Sequence, residues 1–148
     1  MSRYQYNFDR HNKHKTAACW SDVAICATVI FLLSSISFAT PFHAEPWDKL
    51  AHMFEYTVFG YLLVKACDQA FNFRMNAELF LCTIILGFLF AVSDEIHQSF
   101  IPLRDSSAMD VMADLVGLLI SCLLWTRLPI LKRFSFTSKC LGLRSTQD

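Results

Sequence analysis

The sequence predicts an all-α, polytopic membrane protein with four transmembrane helices and both termini in the cytoplasm. Three observations carry this. Of 148 residues, 54% are hydrophobic, which is high for a water-soluble domain of this size. The apolar residues gather in four runs, 17–38, 47–67, 77–100 and 109–125. Each is close to the roughly 20 residues that carry a helix across ~30 Å of hydrocarbon. Of the 13 lysines and arginines, all but Lys49 and Arg104 precede the first run, lie near the loop after the second, or follow the fourth. That asymmetry is the positive-inside signature.

Taken in order, residues 1–16 form a basic cytoplasmic arm, expected to be disordered or to lie on the membrane surface. The first run ends near Ser37-Phe38-Ala39, which resembles a signal-peptide cleavage site. The run is longer than a signal peptide needs and three more follow, so an uncleaved anchor is the better reading. The loop ATPFHAEP contains Pro41 and Pro46 and breaks the chain before Trp47. The short link near 68–76 makes the second and third runs an antiparallel hairpin. The third contains LFLCTIILGFLFAV, apolar on every face, which argues against a compact soluble helical domain. Ser106 and Ser107 precede the fourth run near its N-cap. The membrane domain is thus 17–126, and 127–148 is a basic tail. Trp20, Trp47 and Trp125 fall at run ends, where the rings prefer headgroups. None of the six cysteines lies in an outer loop, so no disulfide framework is indicated.

Two knots of polarity interrupt this apolar chain: DKLAHMFEY from Asp48 to Tyr56, and SDEIHQSFIPLRDSSAMDVMAD from Ser93 to Asp114. Ionisable groups within a membrane are expensive and therefore mark function by default. At about 100° per residue, Asp48, His52, Glu55 and Phe59 share one stripe. Gly87, Asp94, Glu95 and Gln98 share a second, with His97 pointing elsewhere, and Asp110, Asp114, Gly117 and Ser121 share a third. The three stripes are expected to converge near the outer third of the membrane and to face one another, because lipid satisfies none of them.

Each residue has a plainer role open to it. Asp48 and Asp110 can be helix caps, Lys49 and Arg104 can snorkel to headgroups, and His97 can be interfacial. Gly117 and Ser121 form a small-xxx-small pair suited to close packing. The convergence of His52, Glu55, Asp94, Glu95, Gln98 and Asp114 at one depth is what those roles leave unexplained. Carboxylates also outnumber cations there. Asp48, Glu55, Asp94, Glu95, Asp105, Asp110 and Asp114 face Lys49, Arg104 and two histidines. They must be protonated, pair with Lys49 or Arg104, or surround a cation. Arg104 is the natural bidentate partner for a carboxylate or for a ligand's phosphate.

Asp48-Lys49, His52 and Tyr56, then the run from Ser93 through Gln98, Phe100, Pro102 and Arg104 to Asp110, then Asp114 and Gly117, resemble the VanZ-like family of small membrane proteins. The resemblance covers about 47–121 and leaves out the first run and both tails. Family members often carry Gly where this chain has Leu103 and Ser121. The resemblance implies a multi-span envelope protein, since the founding member is associated with low-level teicoplanin resistance.

Three functions are open. The leading one is non-enzymatic: an outward-facing polar pocket (Asp48, Lys49, His52, Glu55, Tyr56, Asp94, Glu95, Gln98, Arg104, Asp110, Asp114) binds a cell-wall precursor, a glycopeptide or an envelope protein. The second is a membrane-embedded hydrolase or transferase. It has no catalytic signature, and its weak metal candidates are His52 and Glu95 for a divalent cation; no other cofactor is expected. The third is proton- or cation-coupled transport, which would require the chain to oligomerise. Membrane lipids are expected neighbours and nucleic acid is not.

Overall fold

A computed structural model describes residues 3–36, 47–71, 73–102, 104 and 106–128. Residues 1–2, 37–46, 72, 103, 105 and 129–148, which include the loop expected before Trp47, Leu103, Asp105 and most of the expected basic tail, lie outside them. Among the described residues the chain is entirely helical: α1 (Arg3–Ser34), α2 (Trp47–Ala70), α3 (Asn76–Gln98) and α4 (Ala108–Arg127). The helix of α1 begins at Arg3, so most of the expected surface arm continues the first helix instead. Nothing in 3–16 forbids this, since that stretch contains neither proline nor glycine.

Three segments are long and apolar enough to cross a membrane: Lys13–Ser34, Asn76–Gln98 and Ala108–Arg127. The second helix does not qualify on composition, because Asp48, Lys49, Glu55, Lys65 and Asp68 interrupt it. Its position accounts for how it tolerates them. It packs most extensively on α4, also on α1 and α3, and so is the central helix. The apolar helices turn their large side chains outward, with Leu32, Leu81, Leu89, Leu119 and Leu123 all more than half exposed. The charged helix is thereby partly shielded: His52 and Lys65 are buried, Asp48, Lys49 and Glu55 are half-buried, and Asp68 near its end is exposed.

Long-range contacts fix the directions. Thr16 Oγ1 donates to the Gln69 carbonyl at 3.4 Å, so the start of α1 meets the end of α2. Ser34 donates to Asp94 at 2.7 Å, and His52 Nδ1 lies 3.1 Å from Asp114 Oδ1. The end of α1, the start of α2, the end of α3 and the start of α4 therefore share one end of the bundle. The start of α1 and the end of α4 lie at the other.

Small residues set the central interface. A Cβ on Gly117 would lie 2.5 Å from the Met53 carbonyl oxygen and 2.9 Å from the Thr57 nitrogen, so α4 crosses directly on the α2 backbone. Gly60 faces Ser121 and Leu118 in return, where an added Cβ would lie 2.5 Å from Ser121 Oγ. Lateral packing is aromatic: the Phe59 and Phe90 rings meet tilted, with centroids 4.8 Å apart, and Tyr56 lies against both. Phe59, which the helical period puts on the same stripe of α2 as His52, is buried about two turns further along in this apolar layer.

A polar end of the bundle as candidate functional site

The shared end of the bundle holds the polar knots. On α2, His52 follows Asp48 by one turn and is only 4% exposed. It faces Asp114 of α4, which is fully buried, at 3.1 Å. One turn earlier, Lys49 reaches Asp110 at 3.5 Å. Two parallel helices thus carry two side-chain pairs in the same register, the His52 imidazole with Asp114 and the Lys49 ammonium with Asp110. On α3, Asp94 accepts from Ser34 and, through its other oxygen, from Gln98 at 3.0 Å. Glu95 Oε2 accepts from the Ser107 backbone N–H at 3.0 Å. Ser107 is itself the N-cap of α4, its hydroxyl accepting from Met109 N–H at 3.1 Å. Glu95 therefore ties the end of α3 to the first turn of α4, where a carboxylate also opposes the helix dipole favourably.

Satisfaction is incomplete. Among the described residues, Glu95 Oε1, Asp114 Oδ2 and the Tyr56 hydroxyl are buried without a hydrogen-bond partner. An unsatisfied buried polar atom costs about 1–3 kcal/mol, and more for a charged group. Tyr56 is fully buried and its phenol lies within electrostatic reach of Asp114, Asp94, Glu95 and Glu55. Three unpaired polar groups at one end of a small bundle is a high density for a purely structural network.

Beside this network lies a cavity of about 690 Å³. Leu33 and Ile36 of the α1 end and Trp47, Leu50 and Phe54 of α2 form its apolar wall. Ser34, Asp48, His52, Glu55, Asp94, Gln98 and Arg104 supply its polar lining. Trp47 and Phe54 are strongly exposed, at 61% and 69%, so the apolar wall continues onto the outer surface of the bundle.

Of the two cations, Lys49 pairs with a carboxylate as the sequence reading allowed, and Arg104 sits differently. Arg104 is not forked onto a carboxylate. Its Nη1 donates to the carbonyls of Leu33, Ser34 and Ile36 at 3.3, 3.3 and 3.4 Å, closing the end of α1. Carbonyls left over at a helix C-terminus attract a cation, and the guanidinium serves several at once. Lys49 is engaged by Asp110 and does not line the cavity, so the cavity lining is richer in acceptors than in cations. His97 stands apart, stacked on Phe31 at 4.1 Å and 2.9 Å from Ser35.

Ser34 and Asp22 were missed by the sequence reading. Ser34, only 4% exposed, brings the first helix into the polar network. A lone serine closing an apolar run gave little signal, although serine pairs near span ends often bond across helices. At the opposite end Asp22 is 5% exposed and interacts electrostatically with the buried Lys65, across α1 and α2. Ser34→Ala is expected to lower stability by about 1.5–3 kcal/mol, the usual worth of a hydrogen bond to a charged acceptor. It should do so by loosening α1 from α3, read as a fall in the detergent unfolding midpoint; an unchanged midpoint would show that Asp94 needs no help from α1.

A helical bundle with three membrane-length helices, built around a charged central one, defines a polytopic membrane protein. The comparisons with known proteins narrow this. A family model described as VanZ/LLP1 matches residues 3–132, and the chain belongs to that family. The match takes in α1, which the motif resemblance had left out and which the Ser34–Asp94 bond joins to the polar end. No curated protein and no solved structure matches the chain.

Proposed function

We propose that this protein resides in the cytoplasmic membrane with four spans and both ends cytoplasmic, and that the cavity at its outer end binds an amphiphilic envelope ligand. On this reading it alters susceptibility to glycopeptides such as teicoplanin by engaging a cell-wall precursor, the drug itself or an envelope partner. The cavity is the observation that carries the proposal. Its apolar wall continues onto the lipid-facing surface, and its polar lining is dominated by acceptors. That combination suits an apolar tail with a head rich in hydroxyl, amide or ammonium donors.

Other features support the topology. With 24 residues α2 extends about 36 Å, enough to cross; His52 and Lys65 are buried against its neighbours and Asp48, Lys49 and Glu55 are partly covered. The start of α1 and the end of α4 lie at one end, as the basic residues near the two termini require of an even number of spans.

The test is binding of a lipid-linked cell-wall precursor and of teicoplanin to the protein in nanodiscs, together with susceptibility and protein abundance in cells. Glu55→Ala is expected to weaken binding about tenfold or more, a loss of roughly 1.4 kcal/mol, with abundance kept, whereas Gln98→Ala should also lower stability because its amide donates to Asp94. Lys49, His52, Glu95, Arg104 and Asp110, scanned the same way, separate binding from folding. Undetectable binding of both probes by the wild-type protein would end the proposal.

A further inference from the structure

We propose that His52, Glu95 and Asp114 hold a divalent transition cation that joins α2, α3 and α4. One ligand atom from each lies within 4.8 Å of the others, and all three residues are buried. Ligands about 2.1 Å from a common ion stand about 4.2 Å apart when opposite and about 3.0–3.4 Å apart when adjacent, so closing the set from 4.8 Å takes about 0.6 Å of side-chain movement for an opposed pair and about 1.4–1.8 Å for an adjacent one. The nearest pair already fits. His52 Nδ1 and Asp114 Oδ1 are 3.1 Å apart, close to the roughly 3.0–3.4 Å between neighbouring ligands of an octahedral or tetrahedral ion.

The second observation is the pair of orphaned oxygens. Glu95, 7% exposed, and Asp114, fully buried, each use one carboxylate oxygen within the protein and leave the other without a partner. If structural cohesion were their whole purpose, these two atoms would be the ones left unexplained. A cation held by Glu95 Oε1 and by both oxygens of Asp114, Oδ1 being the one beside His52, would give each orphan a partner. It also offsets the excess of acid at this end of the bundle, for which Lys49 and Arg104 are already engaged by Asp110 and by the α1 carbonyls.

A second grouping, Asp48, His52 and Asp110, shares the histidine. It is the poorer site, because Lys49 already pairs with Asp110 Oδ1 at 3.5 Å and Asp48 is only partly buried. One imidazole nitrogen with two carboxylates suits Mn²⁺ or Zn²⁺ better than the all-oxygen shells of Ca²⁺ and Mg²⁺. Three protein ligands leave further coordination positions, and His52 also borders the cavity. The site needs no ligand in that cavity, so it stands or falls separately from envelope binding.

The test uses the full-length protein in detergent, stripped with chelator and titrated with Mn²⁺ while the free-ion EPR signal is followed. Mn²⁺ avoids capture by the cysteine thiols. One Mn²⁺ per chain is expected, with a rise in the unfolding midpoint. Glu95→Gln is the decisive variant: its amide oxygen can still accept from Ser107 N–H, so folding is maintained while a charged ligand is lost. It should bind at least about tenfold more weakly and lose the midpoint rise, as should His52→Gln, whereas His97→Ala should behave as wild type. No stoichiometric Mn²⁺ on the wild-type protein overturns the proposal. So does Glu95→Gln binding as tightly as wild type, or weakening by Asp48→Asn in its place.

Discussion

Gly117→Val is expected to separate α2 from α4 and to lower the unfolding midpoint of the purified protein sharply. The cause is where the new atoms would go. A Cβ at 117 meets the Met53 carbonyl oxygen at 2.5 Å and the Thr57 nitrogen at 2.9 Å. Both belong to the α2 backbone and cannot rotate away, so the helices must part. Overpacking of a close-packed interior costs about 1–3 kcal/mol where side chains can yield, and the upper part of that range or beyond is expected here. The α2–α4 interface also holds His52 against Asp114 and Lys49 against Asp110, so parting the helices would lengthen both contacts. Val116→Leu, on the exposed face of the same helix, is the control and should change stability by less than about 0.5 kcal/mol. Equal midpoints for Gly117→Val and wild type would mean that the helices do not approach so closely in the membrane protein.

The interface shows what a single sequence discloses and what it conceals. Apolar runs of span length, broken by proline-containing or short polar links, specify four helices, because a period of 3.6 and a rise of 1.5 Å leave little choice once a run reaches twenty residues. The alignment of Asp94, Glu95 and Gln98 on one face follows from the same period, as does that of Asp110 with Asp114. Which helix lies at the centre does not follow from it. That depends on packing all four, and the place falls to α2, whose charges are spread along its whole length. Arg104 illustrates the second limit. Sequence counts it as a cation facing carboxylates, but the α1 carbonyls it closes come into range only through a separation of about 70 residues. Ser34 is hidden for the same reason: its partner Asp94 lies 60 residues on. Local period gives faces; the partners on those faces are set by the fold.

The pair formed by His52 and Asp114 yields the other large effect, and it separates charge from packing. In chelator-stripped protein, His52→Leu alone is expected to cost about 3–5 kcal/mol, the penalty for leaving one member of a buried pair uncompensated. Asp114 Oδ2 already lacks a partner, and the substitution takes the partner of Oδ1 as well, in a position with no access to water. Asp114→Leu alone should be similarly harmful, stranding the imidazole beneath Asp110 and Asp48. The double variant should recover much of the loss, because two apolar side chains in a buried site need no partners, and such replacements are often neutral or stabilising. A coupling energy of about 2 kcal/mol or more from the four proteins, measured by unfolding in detergent, would establish that the residues act as a pair. If the double variant is as unstable as the two single losses added together, the cost lies in shape alone and the pair contributes no electrostatic coupling. If His52→Leu is as stable as wild type, His52 does not compensate Asp114 at all. A stable double variant that no longer binds Mn²⁺ would show that these side chains are kept for what they bind and that the bundle can stand without them.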